Sequence, residues 1–180
     1  MKKEITQEIE IPEGVEVTIN GNEIVAKGEA GENKRVFTLH NIDLKMEGNK
    51  ITLGAKEATK SEKKMINTNA AHIRNMIKGA KEKFEYTLKI GSSHFPMTVE
   101  VKGSEVIIKN FLGEKVDRKS KILEGVEVKV DKAIVTVTSQ NREAAGQTAA
   151  NLEKATRIRN RDRRIFQDGI FITNKCGKVI

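Results

Sequence analysis

Arginine is concentrated in one short stretch of this sequence. Five of the nine arginines lie in residues 157–164 (RIRNRDRR), here called the arginine segment, and Asp162 is the one acidic residue among them. Guanidinium groups bind phosphate through paired hydrogen bonds and also stack on nucleobases. In an extended chain, alternate side chains point to the same side. The segment is therefore predicted to bind nucleic-acid phosphates, and the alternative is a solvated connecting loop. The predicted ligands are Arg157, Arg159, Arg161, Arg163 and Arg164.

A second basic stretch is FLGEKVDRKSK, residues 111–121. It is predicted to connect two strands, and loops on rigid sheets are common recognition sites. The side chains expected to contact RNA are Lys115, Arg118, Lys119 and Lys121. The alternative is an ordinary basic hairpin.

The motif SSHFPM, residues 92–97, places His94 beside Phe95. A neutral histidine can form a hydrogen bond with a phosphate or a base, and a phenylalanine ring can stack on an unpaired base. His94 is therefore a candidate RNA contact. The alternative is that the pair anchors the entry to a strand.

The overall composition favours a polyanionic partner. The formal net charge is +8 and the isoelectric point is about 9.5, which suits a nucleic acid or an acidic membrane surface. Cys176 is the only cysteine, so no internal disulfide is expected, as in a reducing cytosol. No long apolar run and no signal-peptide pattern are present, so we expect a cytoplasmic protein without a membrane span.

The sequence gives little support for catalysis. Its three histidines lack metal-ligand spacing, and the single cysteine has no partner for a zinc site. No serine nucleophile motif, cysteine–histidine pair or phosphate-binding GK[ST] loop occurs. We therefore predict no enzymatic activity, no cofactor, no metal and no small-molecule substrate.

The two halves of the chain resemble each other. Residues 12–33 match residues 96–115, and IDLKMEGNKITL (42–53) matches VEVKVDKAIVTV (126–137). A helical stretch follows in each half, and each half then ends in a strand-like run, FEYTLKI or IFQDGIFI. The offset of about 80 residues indicates a duplicated small domain. The predicted domains are residues 1–82 and 83–180.

Local patterns predict an α+β fold with two tandem domains, each an antiparallel sheet covered by one main helix. Tight turns at Asn20-Gly21, Gly48-Asn49, Gly103-Ser104 and Asp131-Lys132 favour antiparallel hairpins. The first helix is predicted from a capping box, Thr59 with Glu62, followed by an apolar stripe. That stripe consists of Ile66, Ala70, Ile73, Ile77 and Ala80.

The second helix is predicted to run from about Asn141 to Thr156. Its apolar stripe would be Ala145, Ala149 and Leu152, small enough for close packing on a sheet. Gly146 interrupts this helix at a cost of about 1 kcal/mol relative to alanine. A glycine there would permit the close approach of another backbone, such as that of RNA.

Four motifs together resemble one known family. GQTAANLEKATRIRNRDRRIFQDGIF (146–171) is similar to the C-terminal signature of the sixth protein of the large ribosomal subunit, in its archaeal and eukaryotic branch. KEKFEYTLKI, SSHFPM and KNFLGEKVDRK are similar to further motifs of that branch. The resemblance extends over essentially the whole chain, and it implies two similar α+β domains.

The resemblance implies a structural, non-catalytic function in the cytoplasmic ribosome. Members of this family bind large-subunit ribosomal RNA mainly through the second domain, beside neighbouring ribosomal proteins. They lie near the stalk base and the sarcin–ricin loop, where translation factors dock. By position, the resemblance assigns Gly146, Gln147 and Ala150 to the family's GQ-AA helix start, and residues 157–164 to its basic C-terminal segment. The alternative function is a two-domain protein-interaction module that recruits an acidic protein partner.

Overall fold

The structure is a computed structural model that describes residues 3–180. The chain divides into two compact units, Met1–Lys83 and Phe84–Ile180. Each unit contains antiparallel strands and one long helix, so the α+β class is confirmed.

Within residues 3–83, the first unit contains six strands and one helix. In chain order they are β1 (Lys3–Glu10), β2 (Val15–Asn20), β3 (Glu23–Gly28), β4 (Gly31–Val36), β5 (Asp43–Glu47), β6 (Lys50–Ala58) and α1 (Lys60–Lys81).

The second unit contains eight strands, one α-helix and a short 3₁₀ helix (Phe111–Gly113). In chain order its main elements are β7 (Phe84–Gly91), β8 (Thr98–Lys102), β9 (Glu105–Lys109), β10 (Arg118–Lys121), β11 (Val126–Asp131), β12 (Ile134–Ser139), α2 (Arg142–Ala155), β13 (Gly169–Lys175) and β14 (Lys178–Val179).

Each unit has two sheets rather than the single sheet that the sequence predicts. The first unit has the orders β2-β3-β4 and β1-β6-β5. The second has β10-β9-β8 and β11-β12-β7-β13-β14. The two units share a strand order, since β7 pairs with β12 in the second unit as β1 pairs with β6 in the first. The duplication inferred from the sequence is therefore visible in the strand order.

One pairing in the predicted repeat is wrong. The sequence comparison matches the run at 84–90 to the run at 165–172, as the closing strand of each half. In the structure, β7 belongs to the second unit, where it lies between β12 and β13. Among residues 3–83 no strand follows α1, so β13 has no counterpart in the first unit. Both runs are apolar and follow a helix, and this pattern alone does not show which sheet they join.

The hairpin turns recur at equivalent places in the two units. The four predicted turns are two-residue loops that begin at Gly21, Gly48, Gly103 and Lys132, and each of these first positions has positive φ. The turns at Gly48 and Gly103 are as predicted, whereas two others lie one residue later than predicted. Lys132 adopts the left-handed conformation, with φ +51°, at the position where the first unit has Gly48.

Helix α1 begins at the predicted capping box. The Thr59 hydroxyl accepts a hydrogen bond from the Ser61 amide, and the Glu62 carboxylate accepts one from the Thr59 amide at 2.9 Å. All five residues of the predicted stripe are buried in the core of the first unit. At the end of α1 the chain approaches β3 closely, since the Ala30 amide donates to the Ala80 carbonyl at 2.9 Å.

Helix α2 is capped by Asn141, whose side-chain oxygen accepts hydrogen bonds from the Glu143 and Ala144 amides. Its predicted stripe, Ala145, Ala149 and Leu152, is fully buried in the separate core of the second unit. Asn141 and Thr156 are the caps, so the predicted boundaries are confirmed within one residue. The helix ends immediately before the arginine segment and so determines where that segment starts.

Candidate nucleic-acid interface

The arginine segment connects the end of α2 to β13 through irregular backbone. Asn160 is left-handed, with φ +55°. The Asp162 carbonyl accepts hydrogen bonds from the Ile165 and Phe166 amides, which closes a turn. The predicted extended segment, with alternate arginines on one side, is therefore wrong. Asp162 explains the turn, because its carboxylate also accepts the Arg164 amide at 2.9 Å.

All five arginines of the segment are exposed to solvent. Asp162 is the only carboxylate within residues 3–180 that forms an ion pair with them, and it pairs with Arg164 at 2.8 Å. Hydrogen bonds from Arg164 hold the pKa of Asp162 below its usual value. The Arg164 side chain remains 90% exposed despite this contact. The segment therefore presents a cationic surface that its own chain leaves largely unneutralised.

Arg118 holds the start of the arginine segment. Its guanidinium donates to the backbone carbonyls of Ala155, at 2.8 Å, and Arg157, at 3.3 Å. It also forms a bidentate pair with Glu114 at 2.6 and 2.7 Å, which holds the pKa of Glu114 below its usual value. Its Cζ lies 4.2 Å from the centroid of the Phe111 ring. A phosphate contact by Arg118 stays a prediction, but the structure shows that this side chain anchors the segment.

Asp168 holds the chain after the arginine segment, directly before β13. Its carboxylate is 3% exposed and accepts hydrogen bonds from the Ser93 amide and hydroxyl, both at 2.6 Å, and from His94 Nδ1 at 3.0 Å. Burial alone would raise the pKa of Asp168, but the hydrogen bonds from Ser93 and His94 lower it to about 2. The serine hydroxyl donates to Asp168, so the arrangement differs from a hydrolytic triad, in which the serine donates to histidine.

His94 already makes contacts within its own chain. Its ring stacks on Phe166, with centroids 4.7 Å apart, and the Cζ of Arg161 lies 4.8 Å from the Phe166 centroid. Contact between His94 and RNA stays a prediction. Phe95, which the sequence suggests as a stacking residue, is 45% exposed.

The basic residues of 111–121 do not all lie in a loop. Residues 118–121 form β10, which is antiparallel to β9, so the predicted loop is shorter than expected. Lys115 and Lys121 are exposed, whereas Lys119 lies 3.6 Å from the Glu105 carboxylate. Through the contacts of Arg118, this stretch lies beside the arginine segment.

The start of α2 is at the other end of the helix from the arginine segment. A Cβ atom at Gly146 would lie 3.0 Å from the hydroxyl oxygen of Tyr86. The close neighbour of Gly146 is thus a tyrosine of the same chain. Gln147 is exposed and donates to Asn151, and Ala150 is partly buried. RNA contacts by Gly146, Gln147 and Ala150 stay predictions.

A cavity of about 770 Å³ lies beside the arginine segment. Four cationic side chains and two phenylalanine rings are prominent in its lining. They are Lys89, Lys154, Arg157, Arg163, Phe166 and Phe171. The sequence predictions missed Lys89, Lys154, Phe166 and Phe171. The alternation in GIFIT could have identified Phe171, because buried Ile170 and partly buried Ile172 place the ring between them on the outer face of the sheet.

The structure therefore brings together three of the predicted stretches, 92–97, 111–121 and 157–164. In the described part of the chain, no group of three or more histidine, cysteine, aspartate or glutamate side chains is arranged to hold a metal ion. No helix among these residues is long and apolar enough to span a membrane.

The comparison with known proteins matches this duplicated architecture. The sequence profile of the family described as Ribosomal protein L6 matches residues 11–83 and 95–169, one match in each unit. The chain belongs to the ribosomal protein L6 family. It is 50% identical over 176 residues to the large ribosomal subunit protein uL6 of Methanococcus vannielii, covering 98% of this chain and 97% of that protein. It is also 50% identical over 171 residues to uL6 of Methanobrevibacter smithii, covering 95% and 96%.

Proposed function

We propose that this protein is a non-catalytic, structural constituent of the large subunit of the cytoplasmic ribosome. In this proposal the second unit binds large-subunit ribosomal RNA, mainly through the arginine segment. Membership of the L6 family supports the ribosomal assignment. The exposed arginine segment, with Asp162 as its one paired carboxylate, carries the assignment of the RNA-binding surface.

The proposed mechanism is rigid presentation of positive charge. Arg118 ties the start of the segment to the protein, and Asp168 ties its end to residues 93–94. The Thr156 hydroxyl also accepts the Ile170 amide at 2.9 Å, which joins the two ends. Fixed ends reduce the conformational entropy lost when phosphates bind. The arginines then neutralise phosphates and release condensed counterions.

The proposed recognition depends on RNA shape more than on base sequence. Phosphate contacts set position and orientation and carry no direct sequence information. Selectivity would come from a folded RNA whose phosphates match the fixed spacing of the cations. Exposed Lys115 and Lys121 extend the cationic surface beside the segment.

The proposed location follows the family resemblance. It places the protein near the stalk base and the sarcin–ricin loop, beside neighbouring ribosomal proteins and close to docking translation factors. A protein that braces RNA there would hold the factor-binding region in position without performing a chemical step.

The RNA-binding surface is tested by a matched pair of triple variants. Arg157→Ala, Arg159→Ala and Arg163→Ala remove three exposed charges that form no ion pair within residues 3–180. Because each lost phosphate contact lowers the salt slope by about 1, we expect this variant to bind large-subunit ribosomal RNA more weakly and with a shallower slope. Filter binding at several potassium chloride concentrations measures both quantities.

The control variant carries Lys60→Ala, Lys63→Ala and Lys64→Ala, which remove three exposed charges from α1. We expect it to bind almost as tightly as the wild-type protein. Equal losses in the two variants would indicate general electrostatic attraction and contradict the proposed site. A cellular partner that stays bound after ribonuclease treatment, with wild-type RNA affinity in the arginine variant, would favour the acidic protein partner instead.

A further inference from the structure

Phe171 is an exposed aromatic side chain that lies against the backbone of two glycines. The side chain is 43% exposed and lies on β13 at the edge of the cavity. A Cβ atom at Gly169 would lie 3.1 Å from the ring, and one at Gly91 would lie 4.0 Å from it. The ring therefore lies against bare glycine backbone on two adjacent strands. This support restricts the ring while a large part of it remains open to the cavity.

The side chains around this ring are mainly cationic. Lys89 lies directly opposite Phe171 in the pairing of β7 with β13. Lys154 lines the cavity from the end of α2, and Arg157 and Arg163 line it from the arginine segment. Two acidic residues also line it. The Asp168 carboxylate is buried and bonded to Ser93 and His94, which leaves Glu153 as the one exposed carboxylate in the lining.

We infer that this cavity binds one unstacked nucleotide of the ribosomal RNA. Its base stacks on Phe171, and its phosphate binds Arg157 and Arg163. This inference rests on the proposed function, because it assigns a specific contact within the same RNA-binding unit. Protein recognition of RNA commonly uses unstacked bases laid on aromatic rings.

The combination of ring and cations favours a nucleotide over an acidic peptide. A carboxylate side chain would bind the cations but leave the exposed ring of Phe171 unused. A nucleotide supplies both an aromatic face and a phosphate. The cavity volume of about 770 Å³ lies within the range of roughly 300–1,000 Å³ that is usual for small-ligand sites.

The inference is tested with variants that separate the effect of the aromatic ring from the effect of an apolar side chain at this position. Phe171→Leu keeps an apolar side chain but removes the ring, whereas Phe171→Tyr keeps the ring. Ile134→Ala is the control. Ile134 is also exposed, and it pairs with Lys89 from β12, on the side of β7 away from β13, but it does not line the cavity. The probe is the large-subunit ribosomal RNA of Methanococcus vannielii, and the measurements are filter binding and ultraviolet cross-linking with peptide mapping.

We expect Phe171→Leu to weaken binding roughly 5- to 100-fold, the effect of losing one base–aromatic stack. Its salt slope should remain that of the wild-type protein, because no charge is lost. Phe171→Tyr and Ile134→Ala should bind within about twofold of the wild-type protein. The cross-linked peptide should carry an RNA base on Phe171.

Wild-type affinity in Phe171→Leu would overturn the inference, as would an equal loss in Phe171→Tyr, which would indicate altered packing. A cross-link from Phe171 to a protein in assembled subunits would replace the nucleotide with a peptide partner. The two proposals can fail separately. If the wild-type protein binds this RNA and the triple arginine variant has a shallower salt slope, then wild-type affinity in Phe171→Leu rejects the nucleotide site but not the proposed function. Failure of the wild-type protein to bind the RNA would reject both.

Discussion

Two side chains hold the arginine segment in place at the residue scale. Arg118 donates to backbone carbonyls at its start, and Asp168 accepts hydrogen bonds from residues 93–94 at its end. Both are charged residues whose main contacts lie within the chain. Within residues 3–180, Arg157, Arg159 and Arg163 form no ion pair with a carboxylate. Some charges of the basic region therefore hold the structure, and others stay exposed to solvent.

Replacing the buried carboxylate should weaken the fold in a pH-dependent way. Asp168 has a pKa of about 2 in the folded protein, below its unfolded value of about 3.9. Its stabilising contribution is therefore fully present above pH 4 and is lost as the pH falls toward 2. That contribution is on the order of 2 kcal/mol. We expect Asp168→Asn to lower the free energy of unfolding by about this amount at pH 7.

Denaturant unfolding at several pH values measures the difference between the wild-type protein and Asp168→Asn. The difference should be constant from pH 7 to pH 5 and should shrink below pH 4. Asp43→Asn, at an exposed carboxylate of the first unit, is the control and should change stability little. A difference that stays constant down to pH 2 would show that the Asp168 charge does not stabilise the fold.

At the element scale, the helices depend on small residues where strands come close. Helix α2 packs through two alanines and Leu152, and Gly146 makes room for the Tyr86 hydroxyl. Helix α1 ends against β3, where Gly28 faces the carbonyl group of Ala80. Gly28 has no positive φ, so the requirement for glycine there is steric rather than conformational.

Adding one methyl group at this contact should destabilise the first unit. A Cβ atom at Gly28 would lie 2.5 Å from the Ala80 carbonyl oxygen, and a backbone atom cannot move aside as a flexible side chain does. We expect Gly28→Ala to lower the free energy of unfolding by about 1–3 kcal/mol, the usual cost of overpacking. Thermal or denaturant unfolding measures this change.

Gly54→Ala is a matched control for the Gly28 substitution. A Cβ atom there would approach its nearest neighbours no closer than 3.4 Å, so the loss should be much smaller. Equal effects at the two glycines would show that the close contact between β3 and α1 is not the cause.

At the scale of the whole molecule, the chain repeats one arrangement of sheets and one helix, and each unit has its own buried cluster. The second unit adds β13 and β14 to the side of β7. This addition carries Phe171 and brings the chain back from the end of α2 to the sheet. The arginine segment is the connection that this extra strand requires, so it belongs to the second unit alone.

The position of β7 leads to a prediction about fragments. The family match in the second half begins at residue 95, but β7 lies at 84–91 between β12 and β13. We expect a fragment of residues 84–180 to unfold cooperatively and to retain most of the RNA affinity. A fragment of residues 95–180 lacks a central strand and should not fold. Circular dichroism during thermal unfolding and filter binding check both fragments. Cooperative unfolding of 95–180 would contradict the assigned sheet order.

The sequence alone determined the features that depend on neighbours along the chain. The capping box at Thr59, the buried stripes of both helices and the hairpin turns at Gly48 and Gly103 follow from local spacing, and the structure confirms them. The α+β class follows from the same local patterns, and the repeat is visible by direct comparison. The concentration of arginine also needs no structure to be recognised.

Only the tertiary structure decided the features that depend on contacts distant in sequence. It showed that β7 lies between β12 and β13, because strand pairing rather than sequence order determines which sheet a strand joins. It showed that Arg118 serves as an anchor and that Asp162 and Asn160 break the expected extended segment. It also placed Lys89, Lys154 and Phe171 around one cavity, although they lie on three different elements. Residues so far apart along the chain become neighbours only through packing, which spacing in the sequence does not encode.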